Sequence, residues 1–288
     1  MKTFAYWGVA FALWSIRAAP EWVARLRARL FVGLMRRCVP KWSRVAMRNL
    51  EIAGFEGREA IVDGVFHSLT RLVYAFAKFP TMSAETVRDW IAYDGYKNFT
   101  DAESQGRGVL VATAHLGNWE LSAFAHAWMH KPMNIVVRPL DNPKIDALVT
   151  HHRELSGNHV IGKTKAAREI IAALRRGEAV GILIDQNSSL DEGVFVDFFG
   201  HKACTNAAFV KLAHKTGAPV VPGYAVWEES KQSYVLRFDP EIPMTGDVTA
   251  DTQRVHSHLE QVIREYPDQW LWIHRRWKTR PPGEGPLH

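Results

Sequence analysis

His115 and Glu120 are the residues of this 288-residue chain whose types and spacing most directly suggest chemistry. An imidazole changes charge near neutral pH. A carboxylate that holds one ring nitrogen fixes the tautomer and leaves the other nitrogen free to take a proton from a hydroxyl. That is the working half of a nucleophile-activating pair, with the nucleophile brought by a substrate instead of a protein serine. No G-x-S-x-G elbow occurs in the chain to supply such a serine. The alternative is that His115 satisfies a loop carbonyl and Glu120 favours a helix N-terminus.

The elements around the pair suit the first reading. Val109 to Ala114 is a short apolar run rich in β-branched residues, which predicts a buried strand. Gly117 and Asn118 break it, and from Trp119 the apolar residues Leu121, Phe124, Ala125, Trp128 and Met129 recur at helical spacing. Asn118 is the expected N-cap. His115 then sits where a strand spills into a loop and Glu120 in the first helical turn, the place where open α/β sheets hold ligands. Two further strands end in polar residues. Met133 to Val137 runs into Arg138, and Ala179 to Ile184 into Asp185, Gln186 and Asn187. Arg138 can hold a phosphate or a carbonyl. Asp185 is a second carboxylate for the crevice or a structural cap. Backbone N–H groups near Gly117 are the expected oxyanion donors.

Between these strands the sequence predicts a helix over 142–156, a short strand at His159-Val160-Ile161 and a helix over 165–176. Residues 157–164 match the P-loop pattern G-x-x-x-x-G-K-[ST] letter for letter. A P-loop needs a strand before its first glycine and a flexible loop after it, whereas here a helix precedes and a strand intrudes. A membrane-associated P-loop NTPase is therefore the alternative from another class, with Lys163 still able to face an anion. Upstream, residues 41–105 read as helical, with long apolar spacing over 58–79 and short helices at 86–91 and 96–103. Downstream come strands over 217–226 and 233–238, the second antiparallel to the first, and a helix over 250–266.

Composition bounds the class. Apolar residues make up 47% and charged residues 23%, so the chain is globular. The net charge of +6 suits an anionic partner, and two distant cysteines argue against a disulfide framework or a thiolate metal site. The run from Phe4 to Ile16 is shorter than the roughly 20 residues of a membrane span, and no cleavage site marks it as a signal peptide. Arg25, Arg27, Arg29, Arg36 and Arg37 then alternate with Trp22, Leu26, Leu30, Phe31 and Leu34. This predicts a basic amphipathic segment on an anionic leaflet, the alternative being an ordinary helix packed on the domain. Near the other end, Trp270, Trp272 and Trp277 mix with Arg275, Arg276, Lys278 and Arg280, a combination that suits a phosphorylated glycolipid at a membrane face. With no RNA-binding motif in the chain, nucleic acid is not expected as a partner.

His-Leu-Gly-Asn-Trp-Glu at 115–120 resembles the H-x-x-x-x-[DE] motif of the lysophospholipid acyltransferase superfamily. In its Gly-Asn-Trp-Glu form it resembles the branch of bacterial lipid A late acyltransferases. Arg138-Pro139, Asp185-Gln186, the stretch from Gly193 to Gly200, the Ala-Pro-Val-Val-Pro block from Ala218 and the Trp- and Arg-rich tail continue the likeness over roughly residues 1–282. The chain departs from it in its short anchor and at Asp197, where relatives are expected to carry Pro. The resemblance implies that His115 is the catalytic base and Glu120 its partner, with Asn118, Arg138, Asp185 and Gln186 at the substrate site, to which the residues themselves add Lys163 as a group that can face an anion. It implies transfer of a fatty acyl chain from acyl-carrier protein, or from acyl-CoA, to a hydroxyl of a lipid A precursor, with no metal or bound cofactor. A lysophospholipid, an ornithine lipid or an inositol mannoside is the alternative acceptor. The expected fold is a single α/β domain, a mostly parallel or mixed central sheet flanked by helices. Residues 1–40 would anchor it, 41–282 form the acyltransferase domain and 283–288 the tail, at the cytoplasmic face of the bacterial inner membrane.

Overall fold

The computed structural model describes residues 2–162 and 166–288. Its centre is a seven-stranded sheet. β2 (Val109–Thr113) lies in the middle, with β5 (Ala179–Leu183), β3 (Asn134–Val137) and β4 (His159–Gly162) on one side. β8 (Val220–Glu228), β9 (Ser233–Phe238) and β1 (Ile91–Asp94) lie on the other. Neighbours are parallel except β8 and β9. The expected mixed α/β domain is what forms.

Apolar strands of this kind need cover on both faces. On one face Val109 and Val111 pack with Leu121 and Phe124 of α6 (Trp119–Met129) and Phe99 of α5 (Tyr96–Glu103). On the other, Leu110 and Ala112 share a core with α8 (Ala166–Arg175), α9 (Ala208–Thr216) and α10 (Val248–Glu265). The boundaries follow local chemistry. Asn118 caps α6 by accepting the Leu121 N–H at 3.0 Å, and Asn142 caps α7 (Pro143–Glu154) at Lys144. Asp247 caps α10 through the N–H groups of Thr249 and Ala250.

Two expectations change, and the short strand expected at His159-Val160-Ile161 forms. The residues read as a helix over 86–91 instead form a short 3-10 turn and then β1, an edge strand parallel to β9. The segment within the P-loop pattern, His159–Gly162, is β4, its backbone laddered to β3, so it offers no flexible cradle; Lys163 lies outside the described residues. The Trp- and Arg-rich tail is no surface: Trp270, Trp272, Trp277 and Arg276 are all 0% exposed. The tail returns to the centre of the molecule, where Asn49 Nδ2 donates to the carbonyls of Trp272 and His274, both at 2.6 Å. Buried indoles supply the largest apolar areas in a core, which explains their place there. Gly193 to Gly200 belongs to a hairpin, β6 (Gly193–Phe198) with β7 (His201–Asn206), packed on α10.

The N-terminal residues form two helices, α1 (Lys2–Ala18) and α2 (Glu21–Cys38), broken at Pro20. They are packed on α4 (Arg58–Lys78): Ile16, Ala24 and Ala28 are buried with Tyr74 and Ala77. Lys78 Nζ bonds the carbonyls of Arg17 and Ala19 between them. Among the described residues, no helix is long and apolar enough to cross a membrane.

Candidate active site

The β2–β5 register builds the site. Thr113 pairs with Leu183, so the next residues along each strand emerge side by side, His115 opposite Asp185. His115 Nδ1 lies 2.9 Å from Asp185 Oδ1, and the His115 backbone N–H donates to Oδ2 at 3.0 Å. Trp270 Nε1 donates to the same Oδ2 at 2.8 Å. Asp185 is 0% exposed, and three donors satisfy it. Burial raises its pKa, but the charge and hydrogen bond of His115, the nearby His274 and the Trp270 indole outweigh that and hold it well below the usual carboxylate range. Burial conversely pushes the His115 imidazole down. The Asp185 charge and hydrogen bond, with a smaller pull from Glu120, overcome this and leave it raised. An ionised Asp185 makes Nδ1 the donor, so Nε2 is the nitrogen left with a lone pair.

The carboxylate on His115 is therefore Asp185, and the expected bond from Glu120 is not made. Glu120 turns instead to Arg153 of α7, which holds it with Nη2–Oε1 at 2.6 Å and Nε–Oε2 at 2.8 Å. Both side chains are mostly buried, and the Trp119 indole adds a contact to Oε1 at 3.2 Å. A two-point Arg–carboxylate bond is a strong competitor for a carboxylate, and it fixes Glu120 in place. Arg153 was not expected from the sequence; its place in the last turn of α7 gives no local hint of a partner 33 residues earlier.

The loop that carries His115 is held on every side. Gly117 has φ +60, and a Cβ there would lie 2.0 Å from the Ala225 carbonyl oxygen, so only glycine fits. Its N–H donates to the Gln269 carbonyl at 2.9 Å and that of Asn118 to Ala225 at 2.8 Å. These N–H groups are spent on the fold and are not the expected oxyanion donors. Asn118, expected at the substrate, is 0% exposed and works as the helix cap. Leu271 N–H donates to the His115 carbonyl at 2.8 Å, so the tail fastens the loop from behind. Arg138 and Gln186 are exposed just beyond β3 and β5, on the same edge of the sheet as His115. Among the described residues no three or more His, Cys, Asp or Glu side chains gather to hold a metal ion.

Beside the pair a narrow slot of about 50 Å³ runs between α6 and the sheet. Trp119, Glu120 and Arg153 stand on its walls, with Thr113, Val111, Val137 and Leu183 from the strands. Trp119 also touches the His115 ring, centroid to centroid 5.1 Å, which joins slot and base. Met133 packs over Gly181, where a Cβ would lie 2.9 Å from Met133 Cε. Its unbranched thioether is the adaptable part of the lining.

A poised imidazole beside an apolar slot fits acyl transfer, and the comparison with known proteins decides the family. Residues 1–279 match the family described as bacterial lipid A biosynthesis acyltransferase. The chain belongs to that family. It is an acyltransferase, similar to the lipid A biosynthesis palmitoleoyltransferase of Escherichia coli (strain K12). The two are 32% identical over 253 residues, covering 85% of this chain and 81% of the relative. The lauroyltransferase of the same strain is 32% identical over 197 residues, 67% of this chain and 64% of that one. The phosphatidylinositol mannoside acyltransferase of Mycolicibacterium smegmatis (strain ATCC 700084 / mc(2)155) is 30% identical over 176 residues, 60% of this chain and 57% of its own. Members thus keep one chemistry while their names record different chains and acceptors.

Proposed function

We propose that this acyltransferase moves a fatty acyl group from an acyl-carrier-protein thioester to a hydroxyl of a lipid A precursor. The observation that carries the reading is the Asp185–His115 pair, joined through the Trp119 ring to an apolar slot. His115 Nε2 takes the proton of the acceptor hydroxyl, and the oxygen attacks the thioester carbonyl. The tetrahedral intermediate collapses with cleavage of the C–S bond, and the imidazolium returns its proton to the departing thiolate. Asp185 holds the ring and stabilises its charged form. Glu120 acts through Arg153, which it fixes beside the slot, where a guanidinium suits the developing oxyanion or a glycolipid phosphate. Arg138, Gln186 and Lys163 remain candidates for the phosphorylated acceptor or the carrier arm.

The surface supports work at an anionic membrane. Phe4, Trp7, Phe11 and Trp14 form one stripe of α1, exposed by 54–84%. Trp22, Leu26, Leu30 and Leu34 form a parallel stripe on α2. Such contiguous apolar area, with Arg29 and Arg37 exposed among it, fits a helical hairpin lying in the headgroup region of the inner membrane's cytoplasmic leaflet. Purified enzyme offered carrier-protein and coenzyme A thioesters with a lipid A precursor, a lysophospholipid, an ornithine lipid and an inositol mannoside tests the assignment by mass spectrometry. Acylated lipid A precursor made from the carrier thioester is expected. Product on another acceptor alone overturns it.

A further inference from the structure

At the inner end of the slot is a polar atom with nothing to bond among the described residues. His126 lies two turns along α6 from Trp119, roughly 10 Å at 1.5 Å per residue. It lines the slot with Phe99, Met133 and Phe238, and is 2% exposed. Its Nδ1 is 2.8 Å from the Tyr93 hydroxyl, while its Nε2 is buried with no hydrogen-bond partner among the described residues. Burial, helped by His130, pushes its pKa down to about 3, so the ring is neutral. A neutral ring bonded once through Nδ1 leaves Nε2 as a bare donor or a bare acceptor, whichever tautomer is present. The residues behind it prevent it from turning away. The Tyr93 ring stacks on Tyr96 at 4.3 Å, the Tyr96 hydroxyl is 2.7 Å from His130 Nδ1, and His130 Nε2 is 3.0 Å from both oxygens of Glu103.

We infer that His126 is the end-stop of the acyl slot, the residue that fixes how long a fatty chain this enzyme transfers. The inference rests on the slot being the acyl site. A chain that ends short of His126 leaves Nε2 room for a water molecule. A longer chain drives that water out and seals an unpaired polar atom against hydrocarbon, which is costly. An apolar wall stops a chain only by contact, and yields when neighbours repack; a polar stop also opposes each methylene that approaches it.

The test is a competition assay with thioesters of saturated chains graded in steps of two methylenes, read as ratios of kcat/KM. His126→Leu removes the polar atom at similar bulk. It is expected to raise the ratio of the next longer chain over the native optimum by about tenfold, the factor that burial of two methylenes supplies. His126→Asn keeps a polar group at that end and is expected to keep the native optimum. Ala123→Trp, one turn nearer the base, is expected to shorten the optimum and so reports on the slot alone. A shortened optimum in Ala123→Trp with an unmoved one in His126→Leu overturns the end-stop and leaves the slot standing. No change in either overturns the slot reading as well. Turnover of a chain too short to reach His126 reports that each variant is folded, and His126→Met replaces the Leu variant if that one is not.

Discussion

At the scale of single residues, the site depends on which carboxylate faces which cation. Asp185→Asn keeps the shape but removes the charge that raises the His115 pKa, leaving burial to lower it. The ascending limb of kcat/KM against pH reports the base in its deprotonated form, so it should move to lower pH as its height falls by about 10²- to 10⁴-fold. An unmoved limb would mean that Asp185 does not set the protonation of the base. Glu120→Gln tests the other pair. It strands Arg153 half-paired in a mostly buried setting, a loss of about 1–3 kcal/mol in unfolding free energy. Adding Arg153→Met should restore part of the melting temperature but none of the activity. The sequence located His115, its loop and the cap at Asn118, because each depends on neighbours within a few positions. It also placed a carboxylate at Asp185 but not its partner. His115 and Asp185 are 70 residues apart, and only the register of β2 beside β5 brings them together. A spacing of five suggested Glu120, and nothing local announced the guanidinium that takes it.

At the scale of elements, the loop from β2 to α6 works because it cannot move. Gly117→Ala would force a methyl group into the Ala225 carbonyl and strain a positive φ. We expect a cost of about 3 kcal/mol or more and loss of activity, measured by denaturant unfolding and turnover. Normal stability in that variant would show that the loop is looser than its contacts suggest. The long buried strands were legible from their apolar runs, and the helices from their caps and periodicity. β1 was not, since four residues at a sheet edge carry too little pattern and Ile91–Asp94 becomes a strand only by pairing with β9. The tail misled for a related reason. Trp and Arg together read as an interface, but a fully buried arginine can be met by backbone and hydroxyl oxygens, as Arg276 is by the Cys204 carbonyl and Thr205 Oγ1. Burial still pushes its pKa down to about 10.

At the scale of the molecule, one edge of the sheet carries the proposed site, while the α1–α2 hairpin carries the exposed apolar stripes. Replacing Trp7, Phe11 and Trp14 together by Ser should weaken binding to anionic vesicles by at least about tenfold, since each buried aromatic contributes roughly 1.5–3 kcal/mol. Co-sedimentation measures it, and the melting temperature should change little because these side chains do not enter the core. Equal binding by the variant would place the membrane contact elsewhere. The same hairpin was foreseen as a separate anchor; its inner side is instead part of the domain, through Ile16, Ala24 and Ala28.

The return of residues 267–280 to the centre also sets an order of events. A ribosome makes this stretch after the nine strands of the described residues, so a nascent chain can complete its sheet while Asp185 still lacks the Trp270 indole and His115 the Leu271 amide. His115 then gains these two supports only after the strands of its sheet have been made, and a chain still short of residue 271 carries the sheet without them.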